Sequence, residues 1–159
     1  MKKLLLRAFA LLVAVLPFTA AQAAAPKPPV LFGDYAPGKT FTFTVTTAQF
    51  ATTTGFGGTP VLGTSAPAGI PNFTVGQQVT FVIGKKGELI GPGFKIGFLS
   101  GAIGANAYIN KPKKGAQPTV SSVHKNTTTN EPTAVDMTFF TFKLSKRIPT
   151  VTMTTYILQ

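Results

Sequence analysis

The chain has 159 residues, with fifteen lysines and arginines, four acidic residues, one histidine and no cysteine. The lack of cysteine excludes disulfide bonds, thiolate metal ligands and a lipoprotein anchor. The formal net charge of +11 favours anionic partners such as acidic polysaccharide or lipid head groups. With only four acidic residues, the chain has few side chains that could act as a general acid or base.

The N-terminus has the organisation of a secretory signal peptide over residues 1–23. A basic start precedes a short apolar run, Ala8–Leu16, and a small-x-small cleavage site, Ala21–Ala23. The apolar run is shorter than a membrane-spanning helix requires, which argues against an uncleaved anchor. We therefore expect an exported bacterial protein that is periplasmic, at the cell surface or extracellular, with no transmembrane helix in its mature chain. That mature chain would hold twelve basic residues against four acidic ones.

A Pro-rich linker and turn, residues 24–38, is predicted to precede the domain. At its end, Gly33–Thr40 satisfies the phosphate-loop pattern G-x-x-x-x-G-K-T letter for letter. That motif binds phosphate because a strand enters it and a helix leaves it, so that backbone amides surround the phosphate. Here Thr40 instead opens an alternation of threonine and phenylalanine that is typical of a strand. We interpret the match as a coincidence.

Residues 39–159 are predicted to form one all-β domain. Apolar and polar side chains alternate with a period of two in several segments, for example Phe41–Val45 and Val79–Ile83. Helical periodicity occurs only in the signal peptide. Turn signals at short intervals predict a single antiparallel β-sandwich or small β-barrel of about 7–9 strands.

The alternation also predicts local features. The clearest hairpin lies between Gln77 and Leu99, where Gly84–Gly87 suits a type I turn closed by a left-handed Gly87. In its return arm, Gly91–Gly93 indicates a bulge or bend. Ser100–Ala102 is predicted to be a turn.

Two further strands carry predictions about which side chains face the core. The strand after residue 102 is expected to point Ala105, Ala107 and Ile109 inward. A bulge is expected at Phe139–Phe140, because the apolar residues of that strand change parity there.

Residues 50–76 are rich in glycine, threonine, proline and alanine, and no charged residue occurs between Thr40 and Gly84. A connection of this length is uncommon in a compact domain. We expect a flap that covers the sheet, with a short strand near Thr59–Gly63. The alternative is a contact surface for a ligand or partner.

If each strand crosses the domain once, alternate connections lie at the same end. This would gather seven basic residues into one predicted anion-binding end: Lys85, Lys86, Lys111, Lys113, Lys114, Lys146 and Arg147. The expectation requires that Gly91–Gly93 does not reverse the chain, since a reversal would move Lys85 and Lys86 to the opposite end. A basic end binds polyanions with strong salt dependence. No aromatic residues are interleaved with these lysines, so specific nucleic-acid binding is not indicated. Equally, turn lysines can serve only to keep loops soluble and to discourage edge pairing.

The sequence offers few arrangements for catalysis. Ser121 or Ser122 could join His124 and Asp136 in a relay on paper, but nothing resembling a nucleophile elbow accompanies them. Metal-ligand spacing is absent as well. We therefore predict neither an enzyme nor a cofactor.

The combined features predict a non-enzymatic binding or structural protein of the cell envelope or the extracellular space, with a basic loop end suited to anionic partners. Two alternatives stay open. The Thr/Phe alternation allows a small outer-membrane β-barrel, although the chain has no tryptophan for aromatic girdles. The long connection also allows a soluble barrel that carries a ligand beneath a lid.

Overall fold

The computed structural model describes residues 28–55, 58–110, 118–145 and 148–159. They form one antiparallel sheet of nine strands that closes nearly into a ring. No helix within these four ranges is long and apolar enough to span a membrane. The strands are β1 (Thr40–Thr54), β2 (Val61–Leu62), β3 (Gln78–Ile83), β4 (Leu89–Gly91), β5 (Phe94–Ala102), β6 (Ala105–Asn110), β7 (Thr119–Lys125), β8 (Pro132–Ser145) and β9 (Ile148–Leu158).

This architecture confirms the predicted all-β fold, in a form close to the barrel alternative. The predicted signal peptide, residues 1–23, and the first part of the predicted linker lie outside the described residues.

β1 is the strand that closes the ring. Its residues Thr40–Thr44 pair with β3, whereas Thr47–Thr54 pair with β9. A register irregularity between Val45 and Thr47 separates the two halves. An extra residue of this kind changes which side chains face inward. The core therefore receives Phe43 from the first half of β1 and Phe50 from the second.

Aromatic and aliphatic side chains fill the interior of the ring. The centroid of the Phe94 ring lies 6.0 Å from that of Phe81, 5.9 Å from that of Phe139 and 6.3 Å from that of Phe73. Tilted and edge-to-face aromatic pairs at such distances add to the gain from hydrophobic burial. The buried apolar residues among those described are Tyr35, Val45, Phe73, Val79, Phe81, Ile83, Leu89, Ile96, Tyr108, Val123, Val135, Met137, Phe139, Tyr156 and Leu158.

Residues 63–77 complete the wall of the barrel beside β1. β3 and β4 have six and three residues, respectively, so they do not extend along the whole of β1, which has fifteen residues. Phe73 is buried, and its ring centroid lies 5.1 Å from that of Tyr156. The Tyr156 hydroxyl donates a hydrogen bond to the Pro71 carbonyl oxygen (2.6 Å) and accepts one from the Phe73 N–H (3.3 Å).

The flap interpretation of residues 50–76 is therefore confirmed for Ile70 and Phe73, which pack into the core. The predicted short strand near Thr59–Gly63 is β2. The start of the predicted connection was placed too early, because residues 50–54 continue β1. They do so because the second half of β1 pairs with β9 over its whole length.

The two predicted hairpin turns have different outcomes. Gly87 is left-handed (φ 79°), and its N–H donates to the Gly84 carbonyl oxygen (3.0 Å), as predicted. The expected bend at Gly91–Gly93 is instead a complete reversal, since Gly91 pairs with Phe94. Proline followed by a left-handed glycine (φ 80°) is the composition of a type II turn, and this turn divides the return arm into β4 and β5.

The predicted orientation of β6 is wrong. Asn106 and Tyr108 face the interior and are fully buried, whereas Ala105, Ala107 and Ile109 lie on the other face of the strand. The tyrosine ring is the bulkier filler for the core, and it packs edge-on against Phe98 at 5.7 Å.

The predicted turn at Ser100–Ala102 is also wrong. These residues continue β5, and the reversal occurs at Ile103–Gly104, because Ala102 pairs directly with Ala105. Gly104 supplies the positive φ (82°) that the tight connection requires.

β8 has no bulge at Phe139–Phe140, contrary to the sequence prediction. Its pairing with β9 runs without a shift from Val135↔Leu158 to Ser145↔Ile148. Phe139 consequently belongs to the buried face and Phe140 to the outer face. The apolar residues of β8 change from odd to even positions because the outer face of the strand becomes apolar towards the end of β8.

We predict that Phe73→Ala destabilises the fold by about 3 kcal/mol, because the substitution removes a buried ring from the wall of the core. Val75→Ala in the same connection is the matched control. Val75 is 65% exposed, so its truncation should change stability by less than about 0.5 kcal/mol. Urea denaturation measures both values. Equal values for the two variants would contradict the role of residues 63–77 as part of the core.

Candidate functional site

The antiparallel order gives the barrel two distinct ends. The lower end is where β1 begins, together with the β3–β4, β5–β6 and β7–β8 connections. The upper end is where β1 finishes, together with the β4–β5, β6–β7 and β8–β9 connections. The turn at Phe32–Tyr35 packs at the lower end, where Tyr35 enters the core and Gly33 lies against the Asn106 side chain.

The reversal at Pro92–Gly93 separates the seven predicted anion-binding residues. Lys85 and Lys86 are exposed in the β3–β4 turn at the lower end. The other five lie outside the described residues, but the strand ends to which they are joined, Asn110 with Thr119 and Ser145 with Ile148, lie at the upper end. The condition for a shared end, that Gly91–Gly93 does not reverse the chain, is therefore not met, and the positions of the other five residues stay a prediction. Anion binding by them stays a prediction.

All four acidic residues of the chain form ion pairs. Asp34 pairs with the nearly buried Lys125, and Glu131 pairs with Lys39 (2.7 Å), both at the lower end. Asp136 pairs with His124 on the outer wall (Nε2–Oδ2 2.7 Å). Glu88, in the β3–β4 turn, pairs with Lys95 (2.9 Å), which is the second residue after the β4–β5 connection at the upper end. Three of the four acids are thus paired away from the upper end, and the partner of the fourth lies next to an upper connection.

The upper strand ends carry no acidic residue among those that the structure describes. All four acids of the chain lie elsewhere, in the turns at the lower end or on the lower part of β8. Lys143 is exposed near the end of β8, and the sequence prediction missed it because it lies within a strand. By sequence, the β6–β7 and β8–β9 connections hold five basic residues: Lys111, Lys113, Lys114, Lys146 and Arg147. The strand ends to which these five residues are joined lie at the upper end.

An apolar surface lies beside these strand ends, on the outside of the barrel. We name it the upper apolar face and define it by the outward residues Leu62, Phe140, Phe142, Leu144, Val151 and Met153. Leu62 is 77% exposed, Leu144 73% and Phe142 56%. Inside the barrel at the same height, the Thr52 and Thr152 hydroxyls form a hydrogen bond (3.0 Å). The usual polarity of a sheet, apolar inside and polar outside, is inverted here.

The Ser–His–Asp relay considered from the sequence is only partly formed in the structure. His124 and Asp136 are hydrogen-bonded, but both side chains are more than 40% exposed. The Ser121 hydroxyl donates to the Asp136 carbonyl oxygen (2.8 Å) on the inner side, and no hydrogen bond joins Ser121 or Ser122 to His124. Among the described residues, no group of three or more candidate ligands could hold a metal ion. This arrangement gives no support to nucleophilic or metal-assisted chemistry.

The phosphate-loop match also lacks its structural context. Thr40 begins β1 instead of a helix, and the Lys39 ammonium is engaged by Glu131.

A shallow cleft of about 550 Å³ opens nearby, but its charged lining residues, Asp34 and Lys125, are paired with each other. Burial raises the pKa of Tyr108 to about 12 and raises that of Tyr35 as well. Both phenols are therefore neutral at physiological pH.

No family model, curated protein or solved structure is significantly similar to this chain.

The Glu88 carboxylate gives a pH-dependent prediction. Hydrogen bonds from the Lys95 side chain and the Lys86 backbone N–H lower its pKa to about 2. Because the pKa is lower in the folded state, Glu88 stabilises the fold above its unfolded value of about 4.5 and loses that effect as the pH falls towards 2. We expect Glu88→Gln to lose less stability than wild type over this window in urea titrations at successive pH values. The other three acids are common to both proteins, so parallel curves would contradict the assignment to Glu88.

Proposed function

We propose that this protein is an exported, non-enzymatic β-barrel domain of the bacterial cell envelope that binds an anionic surface or polymer through its upper end. The segregation of charge carries the proposal. All four acids are engaged in ion pairs and none lies at the upper strand ends, whereas Lys143 lies there, and the five further basic residues are joined in the sequence to strand ends on this side.

The physical basis is the lack of local neutralisation. Basic side chains grouped without acids create a positive potential that extends over about one Debye length, roughly 8 Å at physiological salt. Phosphate or carboxylate groups entering this field release counterions, which gives affinity that falls steeply with salt. Sequence-specific binding of nucleic acid is not part of the proposal, because contacts of basic side chains with phosphate or carboxylate groups carry no sequence information.

Two observations favour this function over the alternatives drawn from the sequence. Aromatic rings occupy the interior among the described residues, which disfavours a barrel that carries a ligand inside. The outer face also carries Gln78 and Thr80 on β3 and the His124–Asp136 pair on β7 and β8. A lipid-spanning barrel would instead need a continuous outward apolar band.

Chromatography on heparin, a model polyanion, tests the proposal. We expect the mature protein to elute above about 0.15 M salt. Lys146→Gln with Arg147→Gln should lower the elution point clearly, because this change removes two charges from the upper end. The matched control is Lys85→Gln with Lys86→Gln, which removes the same charge from the lower end and should have a smaller effect.

Elution of the wild-type protein below about 0.15 M salt would contradict focused anion binding. Equal shifts for the two double variants would show that net charge alone, and not the upper end, governs retention.

A further inference from the structure

We infer that the anionic partner is the surface of a lipid bilayer, and that the upper apolar face enters its interfacial layer. This inference rests on the proposed function and adds the identity of the partner. It is based on the apolar side chains on the outer surface of β1, β2, β8 and β9, in addition to the charge.

The register of the strands aligns the apolar side chains into a continuous strip. Leu62 of β2 pairs with Ala51 of β1, Ala51 with Met153 of β9, and Met153 with Phe140 of β8. Residues directly opposite each other lie on the same face of a sheet. Four strands spaced about 4.8 Å apart thus give a strip of roughly 15 Å that contains no charged side chain.

A second row extends the strip towards the end of the barrel. Phe142 pairs with Val151, and Leu144 pairs with Pro149. Leu144 and Phe142 are both more than half exposed. A contiguous group of large exposed apolar side chains marks an interaction site more often than scattered ones do.

The pairing of the strands keeps these side chains out of the core, because residues of the opposite parity occupy the inner side. Phe139 and Tyr156 occupy the inner face lower down, and threonines such as Thr52 and Thr152 occupy it above. Turning β8 over to bury Phe140 would expose Phe139. The apolar surface is therefore outward in the folded state by the pairing of the sheet.

The charge beside the strip determines which partner fits. Lys143 is exposed at the upper end of β8, on the opposite side of the strand from Phe142 and Leu144, and in the sequence Ser145 is joined to Ile148 by two basic residues. Apolar side chains next to basic ones are typical of surfaces that lie on anionic membranes. A hydrophilic polyanion would leave the apolar strip in water. A second copy of the chain would bring two basic ends together, which is electrostatically unfavourable.

Tryptophan fluorescence gives a direct test, because the chain contains no tryptophan. Leu144→Trp places a single reporter on the upper apolar face. The matched control is Ile103→Trp, which places the reporter at the lower end on a residue that is 95% exposed. The probes are vesicles of phosphatidylcholine mixed with phosphatidylglycerol and vesicles of phosphatidylcholine alone.

We expect the emission of Leu144→Trp to shift to shorter wavelength with the anionic vesicles but not with the neutral ones. The emission of Ile103→Trp should stay unchanged with both. In co-sedimentation, Leu144→Ser should lower the affinity for anionic vesicles about tenfold, and Ile103→Ser should leave it unchanged. Both positions are exposed, and thermal melts verify that the serine variants remain folded.

Several results would overturn the inference. The inference fails if the emission of both reporters shifts equally, or if neutral vesicles cause the same shift as anionic ones. It also fails if the emission of Leu144→Trp shifts with protein concentration in the absence of vesicles, because that would indicate self-association. If no vesicle binding occurs while wild-type protein is retained on heparin, the bilayer inference fails and the proposed function stands. If heparin retention is absent too, both fail.

Discussion

The fold depends on one constraint: β1 must pair with β3 in its first half and with β9 in its second. The irregularity between Val45 and Thr47 makes this possible, because it re-aims the side chains where the partner changes. Closure of the ring leaves the second half of β1 with little pairing on the β3 side, where β2 pairs only with Ala51 and Thr52. Residues 63–77 fill this gap with the buried ring of Phe73.

The same constraint accounts for the difference between the two ends. β8 and β9 follow the second half of β1 upward, beyond the layer where Phe139 and Tyr156 fill the interior. Above that layer threonines such as Thr52 and Thr152 lie on the inner surface, and the large apolar side chains lie outside. The lower end, in contrast, is closed by the Phe32–Tyr35 turn and by ion pairs such as Lys39–Glu131. Lys143 and the upper apolar face therefore both lie at the upper end.

Sequence periodicity predicted the fold class and the strands whose two faces differ sharply. It succeeded for Val79–Ile83, where apolar and polar residues alternate between glycine-bounded turns. It failed for β6, because alanine, asparagine and tyrosine can each lie on either face of a strand. The inward face is determined by tertiary contacts, in which Gly33 lies close to Asn106 and Phe98 packs on Tyr108. It missed Lys143, which has the parity of a buried residue but lies beyond the filled part of the barrel. The alternation of apolar and polar residues along a strand does not indicate the position at which the buried core ends.

Anion binding at the upper end can be located by mapping backbone amide chemical shifts during titration with a short heparin oligosaccharide. We expect the perturbed amides to cluster at Asn110, Thr119 and Lys143–Ile148, and the perturbations to fade as salt is raised. Perturbations centred on Lys85 and Lys86, or spread evenly over both ends, would contradict it.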